Sequence, residues 1–164
     1  MPKVIKMSLS TSSIDDAIKE LKSFRQSIDM KKDKLLEELG KIGVKEASVR
    51  FTTAMYDGVN DSNVTLKSSK NGYTIVASGH AVAFIEFGAG VYHNSGEPYP
   101  DPRPDGIVGI GEYGKGHGKR QAWGYRNEAG ELTITHGNPA AMPMWYASEE
   151  MRSKIEKIAR EVFA

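Results

Sequence analysis

Cysteine is absent from the 164 residues of the chain. Its absence excludes disulfide bonds, thiolate metal sites and a cysteine nucleophile, and it suits a protein made in the cytosol. An excess of one charge is also lacking, because 22 Lys and Arg residues stand against 21 Asp and Glu residues. A balanced chain has no overall field that would attract it to nucleic acid or to a membrane surface.

Long apolar runs are lacking as well. No stretch approaches the ~20 apolar residues of a membrane span, and residues 1–10 lack the apolar segment of a secretion signal. We therefore expect a soluble chain with no membrane partner. Its length suits a single domain, residues 1–164, in which roughly two-thirds of the unfolded surface becomes buried.

Amphipathic patterns near both ends predict helices. Apolar residues recur at three- and four-residue steps over residues 14–28 and again over 35–47, with a weak stretch near Asp29. One long bent helix and two consecutive helices both fit that pattern, and Gly40 and Gly43 are predicted to allow close packing. We expect the apolar stripes of both helical regions to be core. The stripe of the C-terminal helix consists of Met144, Ala147, Met151, Ile155, Ile158 and Val162.

Strand patterns lie before the first of these helices and between the two. Residues 4–9 and 131–136 are rich in strand formers, and residues 64–68 and 73–77 predict a hairpin whose Asn71-Gly72 pair favours a tight primed turn. The apolar octet 80–87 fits a strand or a helical turn equally well. The predicted class is α+β, with a small antiparallel sheet packed by a long N-terminal helical region and a C-terminal helix.

Glycine and proline crowd the segment from about residue 89 to 130, which predicts a long loop extension. Ordering its backbone costs about 1–2 kcal/mol per residue, so either it stays mobile or another molecule orders it. We therefore expect self-association through this loop. The candidate subunit-contact residues are Tyr99, Arg103, Tyr113, Lys119, Arg120, Trp123 and Tyr125. A nucleic-acid-binding module is also left open by an overlapping set of basic and aromatic residues, namely Lys115, Lys119, Arg120 and Arg126 with Trp123 and Tyr125.

Motifs that suggest catalysis are incomplete. Residues 109–114 spell G-x-G-x-x-G, but the glycines that follow do not favour the helix that a dinucleotide site requires. The four histidines lack metal-ligand spacing, so we predict no cofactor, no metal and no catalytic residue. Glu86 is the one carboxylate in an apolar setting. A structural cap or ion pair is the preferred interpretation, and a small enzyme with its site near Glu86 is the alternative.

Several short motifs resemble a known family. Residues 83–90 fit A-x-x-E-F-G-x-G, residues 123–130 fit W-x-Y-x-N-E-x-G, and residues 139–143 open the last helix as P-A-A-M-P. In this order they resemble the neck or tail-completion proteins, also called head-tail joining or minor tail proteins, of long-tailed bacteriophages. The chain departs from the family at Ala89, where a threonine is frequent. The motif positions are Glu86, Phe87, Gly88, Gly90, Pro139, Ala140 and Pro143.

The resemblance implies a virion structural protein without catalysis. Copies would form a six-fold or twelve-fold ring around the tail axis and would contact head-closure or connector proteins and tail-terminator or tail-tube proteins. A subunit of such a ring could contact the DNA that passes through its lumen. The protein would lie in the neck or tail of the virion, and in the host cytoplasm during assembly. A mechanical role for the first motif follows from its residues: Phe87 would anchor the turn in the core, while Gly88 and Gly90 would adopt angles closed to other residues.

Overall fold

The computed structural model describes residues 4–5, 8–70, 72–89, 122–127 and 129–164. The elements, in chain order, are α1 Thr11–Thr53, β1 Asn63–Ser69, β2 Gly72–Ser78, α2 Val82–Phe87, β3 Trp123–Arg126, β4 Leu132–Thr135 and α3 Pro143–Phe163. Two long helices with small antiparallel sheets confirm the α+β prediction, although the strands form two two-stranded sheets where one was expected. Most of the predicted loop extension lies outside the described residues.

The N-terminal helical region is one helix of 43 residues. Ser10 begins it, because its side-chain oxygen accepts a hydrogen bond from the backbone N–H of Ser13. The weak apolar stretch near Asp29 does not break the helix, since Lys and Met there are good helix formers. Of the two alternatives left open by the sequence, the single helix is therefore the one observed.

Helices α1 and α3 pack against each other in opposite directions. Near the start of α3, the Arg50 guanidinium lies 3.8 Å from the centre of the Tyr146 ring. At the other end, the Lys31 ammonium donates to the carbonyl of Phe163, in the last turn of α3, at 3.3 Å. Residues 11–30 of α1 therefore extend beyond the end of α3, by about 30 Å at 1.5 Å per residue.

The two glycines in α1 permit close packing, as predicted. A Cβ atom at Gly40 would lie 2.6 Å from Leu66 Cδ1 of β1. A Cβ atom at Gly43 would lie 2.7 Å from the sulfur of Met151 on α3. The missing side chains thus let the hairpin and α3 approach the same stretch of α1.

The predicted hairpin is confirmed, but its turn is displaced. Strands β1 and β2 pair from Asn63 with Ser78 to Ser69 with Gly72. Gly72, at φ 135°, therefore belongs to the second strand, so the Asn-Gly pair does not supply both turn residues. The interpretation of the turn was wrong by one residue, and Asn71 itself lies outside the described residues.

The other short elements give a mixed result. The octet 80–87 contains a helix, α2, and the strand expected at 131–136 is β4, paired with β3. An edge strand over residues 4–9 was wrong for residues 4, 5, 8 and 9, which lie in no strand, while residues 6 and 7 lie outside the description. In the described part of the chain, no helix is long and apolar enough to cross a membrane.

The core lies where the C-terminal half of α1 meets α2 and the start of α3. Its fully buried members include Ala47, Phe51, Ile85 and Ala147.

The predicted apolar stripes are only partly core. On α3, Ile158 is buried, but Ile155 is 51% exposed. On α1, apolar residues also remain 38–54% exposed, namely Ile14, Ile18, Leu21, Phe24 and Ile28. The core assignment was wrong for these residues, because an amphipathic stripe can face another molecule as well as its own core.

Candidate functional site: the motif junction

The Glu86 carboxylate lies at the N-terminus of α3 and is 4% exposed. Its Oε2 accepts a hydrogen bond from the backbone N–H of Met144 at 2.8 Å, and its Oε1 accepts one from Trp145 at 3.1 Å. The residue that precedes α3, Met142, makes no side-chain cap. Glu86 therefore satisfies N–H groups that a helix start leaves unpaired, and its charge complements the positive end of the helix dipole.

Backbone bonds join the same two segments. Ala89 and Asn138 exchange N–H···O bonds of 2.9 and 3.0 Å, and the N–H of Ala141 donates to the carbonyl of Ile85 at 2.9 Å. The Asn138 side-chain amide donates to the carbonyl of Phe84 at 2.8 Å. The motif at 83–90 and the segment that contains the motif at 139–143 thus form one unit. We call this unit, residues 83–89 together with 137–145, the motif junction.

Gly88 is required by the geometry of the junction. Its φ of 74° lies in the left-handed region, and a Cβ atom there would lie 2.8 Å from Ala140 N and 3.0 Å from Asn138 O. Both neighbours are backbone atoms, which cannot rotate away as a side chain can. The expectation that Gly88 adopts an angle closed to other residues is confirmed, whereas Gly90 lies outside the described residues.

Met142 holds a conformation that the sequence did not predict. It is the only described non-glycine residue with positive φ, at φ 50° and ψ 46°, and it immediately precedes the fully buried Pro143. A left-handed residue costs roughly 1–2 kcal/mol. The Met142 side chain is 4% exposed and packs with Phe87, which confirms that Phe87 is a core anchor. Packing in this cluster offsets the backbone strain.

A second carboxylate fixes the start of α2. Asp61 accepts hydrogen bonds from the backbone N–H of His80 at 2.7 Å and of Ala81 at 2.9 Å, and it lies 2.9 Å from His80 Nδ1. The Ala81 N–H, followed by the backbone and ring of His80, lowers the pKa of Asp61 from 3.8 to about 2. Asp61 thus fixes α2, and Glu86 on α2 fixes α3. The sequence analysis did not identify Asp61 as a cap, because its partners lie 19 and 20 residues away.

Two of the candidate contact residues border the junction. Trp123 and Tyr125 lie on β3 and are half-buried, and a Cβ atom at Gly137 would lie 3.0 Å from Trp123 Cη2. Burial raises the pKa of Tyr56, and the nearby Tyr125 contributes to the rise. The remaining candidates lie outside the described residues: Tyr99, Arg103, Tyr113, Lys119 and Arg120.

The described residues offer little for catalysis at the junction. Both carboxylate oxygens of Glu86 accept backbone N–H groups, an arrangement that restrains the side chain and engages the oxygens that acid-base chemistry would use. Within the described ranges, no group of three or more His, Cys, Asp or Glu residues could hold a metal ion. His80 faces Asp61, and His93 and His117 lie outside the description. The geometry of the junction is that of a structural clamp between elements.

No family model, curated protein or solved structure matches the chain at a significant level. Its function is therefore inferred from the junction, from the surfaces around it and from the motifs that form it.

Proposed function

We propose that the chain is a structural subunit of the neck of a long-tailed bacteriophage, where copies form a ring that joins or completes the tail at its interface with the head. The observation that carries this proposal is the Glu86 cap on α3. The first and last motifs on which the resemblance depends stand far apart in the sequence, at 83–90 and 139–143, yet Glu86 bonds directly to Met144, 58 residues away. Glu86, a residue that carries the resemblance, is thus also a residue that holds α2 to α3.

A rigid junction suits a ring subunit for a geometric reason. A ring closes only if each subunit meets its neighbours at a fixed angle. The bridge between Ala89 and Asn138 fixes the point where the chain departs toward residues 90–121, and β3 receives it on return, paired with β4. The candidate contact segment therefore has both of its ends attached to the folded body. Its partners in this proposal are other copies, together with head-closure or connector and tail-terminator or tail-tube proteins.

The alternative functions have less support. A small enzyme with its site at Glu86 would need a carboxylate that is available to substrate, and this carboxylate is engaged at both oxygens. For a nucleic-acid-binding module, most of the basic residues concerned lie outside the described residues. Steep loss of DNA affinity with rising salt would be the signature of that function.

The test is removal of the gene from the phage that carries it. The expected result is the accumulation of DNA-filled heads and separate tails, and mass spectrometry of wild-type virions should detect the chain in several copies per particle. Wild-type protein supplied in the host should restore joined particles, and so should Glu149→Ala, which changes an exposed surface ion pair. Glu86→Ala, which removes the cap, should not. Normal yields of joined, infectious particles without the gene would overturn the proposal.

A further inference from the structure

We draw no further inference here: the strongest candidate, the open apolar groove between α1, the β1–β2 hairpin and α3, carries nothing, because nothing in the structure shows what covers it.

Discussion

Glu86 connects two helices through one side chain, since it belongs to α2 and binds the first turn of α3. Glu86→Ala would leave two partly buried N–H groups without this acceptor, so we expect a loss of about 2–3 kcal/mol in the free energy of unfolding. Glu86→Gln keeps one acceptor oxygen and should cost less. Urea denaturation followed by circular dichroism measures both.

The matched control for this prediction is Glu149→Ala, whose ion pair with Arg152 is largely exposed and should contribute less than about 1 kcal/mol. Equal losses for Glu86→Ala and Glu149→Ala would contradict the assignment of Glu86 as the cap of α3.

Gly88 and Gly130 form a natural comparison, because both have positive φ, at 74° and 80°. A Cβ atom at Gly88 meets backbone atoms at 2.8 and 3.0 Å, whereas one at Gly130 meets nothing within 4 Å. Gly130→Ala should therefore cost about 1–2 kcal/mol for its backbone conformation alone. Gly88→Ala should cost about 1–3 kcal/mol more, the usual range for overpacking. Thermal melting of the two variants checks the difference, and identical melting temperatures would refute it.

Asp61 gives the fold a dependence on acid pH. Because its folded pKa is lowered to about 2 from 3.8, the ionised carboxylate stabilises the native state above pH 3.8. That stabilisation is lost as the pH falls from 3.8 toward 2. The stability difference between wild type and Asp61→Asn should thus be constant at neutral pH and should shrink in this interval. Denaturant titrations at a series of pH values measure it, and a difference that grows in acid would contradict the assignment.

At the scale of elements, the two long helices could be predicted from the sequence. Which of their apolar residues are buried and which are exposed could not. Periodicity identified α1 and α3, because three- and four-residue steps require only local sequence. Periodicity could not show that Ile155 and Leu21 remain exposed. The apolar pattern of a helix is the same whether the core of its own chain or another molecule covers the stripe. The octet that contains α2 was ambiguous because a short apolar run fits either backbone conformation.

The residues of the candidate site could be identified from the sequence, but the contacts between them could not. Glu86, Phe87 and Gly88 were identified by their motif, and a cap was one of two interpretations of Glu86. Its N–H partners lie 58 and 59 residues away in sequence, a distance at which no local rule operates. The left-handed Met142 was missed because such angles favour Gly, Asn or Asp, and only the buried cluster with Phe87 explains a methionine there.

The corrected stripe on α3 supplies an element-scale prediction. Ile158 is 8% exposed, whereas Ile155 is 51% exposed. Ile158→Asp would bury an unpaired charge and should cost at least about 3 kcal/mol, enough to unfold a marginal domain. Ile155→Asp should leave a cooperative thermal transition close to that of the wild type. Circular dichroism melts of the two variants, three residues apart on one helix, decide between this assignment and a uniformly buried stripe.

At the scale of the whole molecule, hydrogen-bonded carboxylates link the short elements in series. Asp61 fixes the start of α2, Glu86 on α2 fixes α3, and α3 packs along α1. In the described part of the chain each of the two sheets has two strands, and such two-stranded ribbons are marginally stable alone. The helix pair therefore provides the frame, and the junction transmits the position of α3 to the chain that leaves at Ala89.

The length of α1 beyond its last contact with α3 also makes it a lever. About 30 Å of helix lies beyond Lys31, so a tilt of about 10° at the packed end would displace the far tip by about 5 Å. That displacement is close to one helical pitch, the step by which packed helices shift from one register to the next. A small rotation of α1 against α3 would therefore move the far end of α1 by about one turn of helix relative to any molecule that contacts it.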